Sequence, residues 1–144
     1  MTDCRLVLIR HGLIKANTHR IWHGSTDSEL LRRGRWQAKR LATGFDSSNL
    51  QAIVSSPMQR CTATAAPLAE RSGLVIETDE RLREWEMGEW EGRSFRWLHE
   101  EQNFFGRTAE DPDYRPPGGE STKEVSRRMV AAFLDINDRF DPRS

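Results

Sequence analysis

Apolar residues occur along the chain in two patterns, short continuous runs and stripes with helical spacing. Residues 6–9 form a continuous run, Leu-Val-Leu-Ile, which is typical of a strand buried on both faces of a parallel sheet. Between residues 31 and 45, apolar and small residues recur on one face of a helix, although Gly34 weakens the start of this prediction. Residues 50–55 and 74–77 are further short apolar segments and predict the second and third strands.

A second helix is predicted between these last two strands. Ser56-Pro57 has the pattern of an N-cap followed by proline at the first helical position, and Gly73 can end the helix. Pro67 lies inside this helix and predicts a kink or a break, because proline has no N–H to donate. The order strand, helix, strand, helix, strand predicts an α/β fold, here a three-layer α/β/α domain with a mostly parallel sheet.

The rest of the chain predicts a long irregular stretch and then a long helix. Residues 78–119 are expected to be irregular, except for a short helix near residues 94–101. Ser121 and Glu124 have the spacing of a capping box, which marks the start of a helix. The buried face of that helix is predicted to consist of Val125, Met129, Phe133, Ile136 and Phe140.

Composition limits the partners and the cellular compartment. The 22 basic and 22 acidic residues give no net charge, which argues against a general nucleic-acid binder. No apolar run approaches the ~20 residues that cross a bilayer, so no membrane partner is expected, and the first residues lack a signal-peptide pattern. The two cysteines, Cys4 and Cys61, form no disulfide framework. These features predict a cytoplasmic protein with free thiols.

The first candidate site is the end of the first predicted strand, Arg10-His11-Gly12. In open α/β sheets, ligands bind at the carboxyl ends of the strands, so the arginine and the histidine should project into a crevice. Arg60 lies in the first turn of the second predicted helix, where the free amides and the dipole already attract anions. A guanidinium there can hold two phosphate oxygens, which predicts an anion site.

Glu84 is the candidate proton donor. It lies among aromatic residues after the third predicted strand, where burial would favour its protonated form. Glu86, Glu89 and Glu91 are nearby alternatives. No metal site is predicted: His19 and a second histidine four residues later have the spacing of a zinc pair, but no glutamate follows His19.

Four motifs in order resemble the histidine phosphatase superfamily, which includes the cofactor-dependent phosphoglycerate mutases. The match covers nearly the whole chain. The first motif is Arg10-His11-Gly12 with Asn17, continued by Gly24-Ser25-Thr26-Asp27 and Gln37-Ala38. The other three are Ser55-Ser56-Pro57-Met58-Gln59-Arg60 with Thr64-Ala65, then Leu82, Glu84 and Gly88 followed by Trp90-Glu91-Gly92, and last Pro117-Gly118-Gly119-Glu120-Ser121.

The resemblance implies a role for each matching residue. His11 would attack phosphorus and become phosphohistidine, while Arg10 and Arg60 would neutralise the phosphoryl oxygens. Asn17 would help to bind the substrate phosphate, and Glu84 would protonate the leaving oxygen. The loop residues His23 and Gly24 are carried over as further substrate contacts. The substrate would be a small phosphorylated molecule, and neither a metal nor an organic cofactor would be needed.

Two departures from the family pattern affect these expectations. Leu13-Ile14 stands where the family usually has a polar pair, so hydrogen bonds in this loop are missing or replaced. The family also places a second histidine on a later strand, whereas this sequence ends at Ser144, after the long helix. Residues 1–144 are therefore expected to form one domain without its last strands. We expect such a chain to be a poor catalyst, with an exposed strand edge that favours a homodimer or aggregation.

Three functions remain open on the sequence alone. A phosphatase that hydrolyses a phosphomonoester through phosphohistidine is favoured. A phosphoglycerate mutase is the first alternative, but residues 92–117 are short and lack the Arg-Arg pair of the family's mutases. The second alternative is a protein that binds phosphorylated ligands without turnover, because the second histidine is absent.

Overall fold

The computed structural model describes residues 5–140, which form a mixed α/β fold with helices in the majority. Two short 3₁₀ turns cover Glu80–Leu82 and Gly88–Trp90. The helices and strands are α1 (Lys15–His19), α2 (Arg32–Gly44), β1 (Ile53–Ser55), α3 (Gln59–Ser72), β2 (Ile76–Thr78), α4 (Phe95–Glu100), α5 (Phe104–Glu110) and α6 (Thr122–Phe140).

The sheet consists of two parallel strands within the described residues. β1 pairs with β2 so that Ile53 lies opposite Ile76 and Ser55 lies opposite Thr78. The prediction of a buried first strand at residues 6–9 is wrong for the described part of the chain, because no other described strand supplies hydrogen bonds to this segment. Its apolar side chains are consequently exposed, with Leu6 at 45% and Leu8 at 76%.

α2 and α3, both predicted as helices, pack beside this sheet. Their apolar faces meet the strands in a core cluster that contains Ala42, Ile53, Leu68 and Ala69. α3 ends at Gly73, whose φ of 72° gives the predicted left-handed cap. The predicted break at Pro67 is wrong, since α3 is continuous from residue 59 to residue 72.

The start of α3 differs from its prediction. The N-cap is Met58 instead of Ser56, and the helix begins two residues after Pro57. The missing side-chain cap is replaced from a distant loop, because Asp27 Oδ1 accepts a hydrogen bond from the Gln59 amide at 2.9 Å. Capping by a residue that is remote in sequence explains why the local Ser-Pro pattern was misleading.

Aromatic residues form a separate core around the 78–119 segment. Met87, Leu98 and Phe104 are fully buried there. α4 matches the predicted short helix, whereas α5 was not predicted. Half-buried aromatic side chains surround this core: Trp22, Trp85, Trp90, Trp97 and Tyr114.

The long C-terminal helix α6 begins with the predicted capping box. The Ser121 amide donates to Glu124 Oε2 at 2.8 Å, and the Glu124 amide donates to Ser121 Oγ at 3.3 Å. Ile136 on the predicted stripe is buried, but Val130 and Leu134 on another face are 51% and 58% exposed. None of the helices in the described part is long and apolar enough to cross a membrane. Cys61 is a free thiol, whereas Cys4 lies outside the described residues.

Candidate active site

An open pocket of about 480 Å³ lies beside His11 and brings together three of the predicted site residues. The three are Arg10, His11 and Asn17, of which the first two precede α1 and the third belongs to it. The pocket is lined by Arg10, His11, Leu13, Asn17, Arg20, Gln37 and Phe95. None of these lining residues is acidic, so the pocket suits an anionic ligand.

The imidazole of His11 is held in one orientation by its neighbour. Its Nδ1 lies 2.8 Å from the carbonyl oxygen of Gly12, which can only accept a hydrogen bond. Nδ1 therefore carries the proton in the neutral ring, and Nε2 keeps its lone pair. Burial lowers the pKa of His11, the Gly12 hydrogen bond opposes this, and the positive charges of Arg60 and Arg10 lower the pKa further. The neutral, nucleophilic form thus prevails at pH 7.

The loop that carries His11 is fixed to both large helices beside it. The Gly12 amide donates to Thr64 Oγ1 of α3 at 2.9 Å, and the Leu13 amide donates to Gln37 Oε1 of α2 at 2.9 Å. Gln37 therefore supplies a hydrogen bond to the loop in which Leu13-Ile14 replaces the usual polar pair, as the sequence allowed.

Close backbone contact explains the glycine in α2. A Cβ added to Gly34 would lie 2.3 Å from the carbonyl oxygen of Leu13, and one added to Gly12 would lie 2.6 Å from that of Gly34. Real side chains do not fit at such distances, so both glycines let the His11 loop lie directly on α2. Gly34 weakens the helix by propensity but is required by this packing.

Asn17 both closes the loop and faces the pocket. Its Oδ1 accepts a hydrogen bond from the Ile14 amide at 3.0 Å, which stabilises the start of α1. Its amide nitrogen has no hydrogen bond within residues 5–140, so this group is free to donate to a ligand oxygen.

Arg60 is almost fully buried, at 1% exposure, and hydrogen-bonds to a loop that is distant in sequence. Its guanidinium donates to the carbonyl oxygens of Thr26 at 2.8 Å, Gly24 at 2.9 Å and His23 at 3.3 Å. Its Nε is buried and has no partner among the described residues. Its guanidinium therefore holds the 23–26 loop, and its positive charge acts on His11, where it lowers the pKa of the imidazole.

The predicted anion site at the start of α3 already contains a carboxylate. Asp27 accepts the hydrogen bond from the amide of Gln59, the first residue of α3. The free-amide argument for phosphate binding at this helix end is therefore wrong, because the acidic side chain supplies the negative charge that the helix end favours.

His23 and Gly24 lie in the loop beside Arg60, outside the pocket lining. The Gly24 amide donates to Glu91 Oε1 at 2.7 Å. Burial lowers the pKa of His23, and the charge of Arg60 lowers it further. His23 Nε2 is buried and without a partner in the described part of the chain, so this ring packs as a neutral group.

Glu84 is near His11 but is not buried as the sequence predicted. Its side chain is exposed, and its Oε1 accepts a hydrogen bond from the Trp85 amide at 2.9 Å. Its negative charge acts on His11, where it raises the pKa of the imidazole. Of the alternatives, Glu86 and Glu89 are also exposed, whereas Glu91 is hydrogen-bonded to the amides of Gly24 and Thr26.

Arg128 of α6 holds the backbone that carries Glu84. Its guanidinium donates to the carbonyl oxygens of Arg81 at 2.7 Å, Arg83 at 2.6 Å and Glu84 at 3.1 Å. It also forms a two-pronged ion pair with Glu120, with both N–O distances at 2.8 Å. Burial alone would raise the pKa of Glu120, but its hydrogen bonds, foremost those from Arg128, hold the pKa below its ordinary value.

Three residues that shape the site were missed by the sequence reasoning. Arg20 and Phe95 line the pocket, and Arg128 holds the Glu84 backbone. No local signal marked them, because Arg20 ends a helix of five residues and the other two reach the site from distant segments. Within residues 5–140, no group of three or more His, Cys, Asp or Glu side chains could hold a metal ion.

Comparison with known proteins gives consistent matches over most of the chain. Residues 6–144 match the family model described as the histidine phosphatase superfamily, branch 1. Glucosyl-3-phosphoglycerate phosphatase from Mycobacterium tuberculosis is 38% identical over 135 residues, which cover 90% of this chain and 60% of that protein.

Solved structures show the same similarity. The native structure of mycobacterial glucosyl-3-phosphoglycerate phosphatase has a TM-score of 0.75 and 33% identity, with 88% of this chain and 60% of that chain covered. Bacillus stearothermophilus YhfR has a TM-score of 0.79 and 33% identity, with coverage of 92% and 67%. The chain thus spans about 60% of the length of the curated phosphatase that it matches.

Proposed function

Because this chain belongs to the histidine phosphatase superfamily, branch 1, we propose that it hydrolyses a phosphomonoester through a phosphohistidine on His11. The observation that carries the proposal is the 2.8 Å contact from His11 Nδ1 to the Gly12 carbonyl, in a pocket that has no acidic lining. This contact leaves Nε2 as the nitrogen with a free lone pair, which is what a nucleophile requires.

In the first step, His11 Nε2 attacks phosphorus and the bond to the alcohol oxygen breaks. Arg10 in the pocket and the buried positive charge of Arg60, which acts on His11, offset the negative charge on the phosphoryl oxygens, and the Asn17 amide orients them. The Glu84 carboxyl group donates a proton to the leaving oxygen.

In the second step, a water molecule attacks the phosphorus of phosphohistidine. The Glu84 carboxylate takes a proton from this water, the P–N bond breaks, and neutral His11 and inorganic phosphate result. The acid of the first step is therefore regenerated. His23 and Gly24 would contact the substrate through the main chain of the loop that Arg60 holds.

We also propose the partners and the cellular location of this protein. The substrate is a small phosphorylated molecule, and no metal or organic cofactor takes part. The equal numbers of acidic and basic residues support the absence of a nucleic-acid partner. The free thiol of Cys61 supports a place in the cytoplasm. The exposed apolar side chains of residues 6–9 support a homodimer, which sedimentation of the protein at several concentrations would test.

Trapping of the intermediate is the direct test. After the protein is mixed with a ³²P-labelled phosphomonoester and quenched, an acid-labile, base-stable label should appear on it. His11→Ala should abolish both the label and phosphate release, whereas His99→Ala should retain both, since His99 is exposed on α4 outside the pocket. Normal labelling of the His11 variant would refute the assignment.

Phosphate binding without turnover is the second candidate function. Its support is that His11 is the only histidine in the lining of the described pocket. In that case calorimetry should detect binding of inorganic phosphate that His11→Ala weakens, while neither label nor phosphate release is found. A mutase would instead interconvert 2- and 3-phosphoglycerate faster than it releases phosphate.

A further inference from the structure

We propose that Arg20 is a specificity-determining residue that binds a carboxylate on the substrate, so that the preferred substrates are phosphorylated carboxylic acids. The inference rests on the proposed function, because it assigns the phosphoryl group to the His11 end of the same pocket. Three observations on Arg20 carry it: its place in the pocket, its unpaired side chain and its backbone conformation.

The pocket contains more positive charge than one phosphoryl group needs at the His11 end. Arg10 lies next to the nucleophile in the sequence, and Arg20 lines the same pocket at the end of α1. No lining residue supplies a compensating negative charge. Arg20 is exposed, so a simple phosphate monoester would leave its guanidinium to solvent, whereas a ligand with a second anionic group would pair with both arginines.

The guanidinium of Arg20 is free of internal partners. In the described part of the chain it makes no hydrogen bond or ion pair through its side chain. By contrast, most of the arginines that shape the fold are paired, such as Arg81 with Asp79, Arg128 with Glu120 and Arg139 with Glu77. A free guanidinium offers a planar pair of donors that matches the two oxygens of a carboxylate.

The backbone of Arg20 is in a conformation that arginine rarely adopts. Its φ of 52° and ψ of 42° are left-handed, which favours glycine. Its N–H points to the carbonyls of Ala16 and Asn17, and its own carbonyl accepts from the Phe95 amide at 3.0 Å. Strained residues cluster at functional sites, and this strained residue lines the pocket beside His11.

Phe95 is the aromatic residue of the pocket lining. It is 43% exposed and packs on Trp22 with a ring-centroid distance of 5.3 Å. An aromatic face beside two cationic groups suits the carbon skeleton of a small organic acid. The pocket of about 480 Å³ is large enough for such a molecule.

Two matched substrates isolate the carboxylate. 3-Phosphoglycerate and glycerol 3-phosphate differ in one group, a carboxylate in the first and a hydroxymethyl in the second. The quantity to measure is the ratio of their kcat/KM values, since a general loss of activity cancels in the ratio. Loss of a charge-assisted hydrogen bond should lower this ratio roughly 10- to 100-fold.

Arg20→Gly is the decisive variant because glycine accepts the left-handed backbone without strain. The variant should fold with an unchanged or higher Tm while its ratio falls. Arg20→Lys should recover part of the ratio, because it keeps the charge but loses the planar fork. Arg139→Gln, on α6 and outside the pocket, should keep the ratio of the unsubstituted protein.

The outcomes separate the two proposals. An unchanged ratio in Arg20→Gly overturns the inference about Arg20 even if hydrolysis proceeds. If the unsubstituted protein hydrolyses no phosphomonoester, the proposed hydrolysis fails, and calorimetric binding of the same two compounds then supplies the ratio. Equal binding of both compounds by the unsubstituted protein, or binding of neither, also overturns the inference.

Discussion

Replacement of Arg128 by methionine should destabilise the fold and slow one part of the catalytic reaction. The arginine donates five hydrogen bonds, three of them to the carbonyls of Arg81, Arg83 and Glu84 and two to the Glu120 carboxylate. Methionine has a similar length but no donor, so all five acceptors would lose their partner. The Glu120 carboxylate would keep only the Glu86 amide as a side-chain partner.

The size of the loss follows from the burial of the pair. Removal of one partner from a fully buried ion pair destabilises a protein by about 3–5 kcal/mol. Here the side chains are 18% and 24% exposed, so solvent screens part of the effect, and about 2–3 kcal/mol is expected. For a chain of 144 residues, this corresponds to a fall in Tm of about 6–12 °C.

The catalytic effect should depend on the leaving group. Arg128 does not line the pocket and acts through the backbone that carries Glu84, so it is a positioning residue. Alkyl phosphates need a proton on the departing oxygen, whereas nitrophenolate leaves without one. Arg128→Met, assayed well below its Tm, should therefore slow alkyl phosphates more than nitrophenyl phosphate. Arg128→Lys should recover part of this difference.

A matched control is available on the same helix. Arg139 pairs with Glu77, but these side chains are 49% and 44% exposed, and exposed pairs contribute little. Arg139→Met should therefore change neither the Tm nor the leaving-group ratio appreciably. Arg128 does not have this role if Arg128→Met melts at the temperature of the unsubstituted protein. Nor does it if hydrolysis of alkyl and nitrophenyl phosphates slows equally at a temperature where the variant is folded.

Four further predictions address the nucleophile, the acid, metals and packing. Glu84→Gln should slow alkyl phosphates by about 10²–10⁴-fold and nitrophenyl phosphate far less; equal slowing would exclude Glu84 as the acid. Because the pKa of His11 is lowered from 6.5, the acid limb of kcat/KM should lie below pH 6.5, and a limb above pH 7 would contradict this. The same shift means that the unfolded chain takes up the proton first, so stability should fall as the pH drops below 6.5. EDTA should leave phosphate release intact, and loss followed by recovery with zinc would refute a metal-free mechanism. Gly34→Ala should destabilise the protein by about 1–3 kcal/mol through its clash with the His11 loop, whereas Gly44→Ala, with open space around it, should not destabilise it.

The sequence predicted the parts of the fold that depend on local pattern. The helical spacing of α2 and α6, the glycine cap of α3 and the capping box at Ser121 were confirmed, because spacing and caps act within a few residues. Of the predicted α6 stripe, Ile136 is buried and the other four residues are half-buried. The start of α3 was wrong because Asp27 caps it from 32 positions away. The predicted strand at residues 6–9 depended on a partner strand, which a local apolar run cannot reveal.

In the candidate site, too, the residues that lie close together in the sequence were predicted, and the contacts between distant segments were not. Arg10, His11 and Asn17 were predicted to act together because they lie within eight positions of one another, and one loop brings them to one pocket. Arg60 was expected to serve the ligand because its position in the first turn is visible in the sequence. Its hydrogen bonds to the 23–26 loop join segments more than 30 positions apart, and no local pattern reports such contacts.

The residues that hold the loops differ from the residues whose donors are free for a ligand. Arg60, Thr64 and Gln37 hold loops through hydrogen bonds, so their substitution would disturb the architecture of the site. The donors that remain free for a ligand come mainly from residues 10–20. This short, partly exposed segment is hydrogen-bonded to α2 and α3. A substitution at Arg20 changes the charge of the pocket without breaking a side-chain hydrogen bond found in the described residues. Substrate preference should therefore vary through this segment while the fold and the nucleophile stay constant.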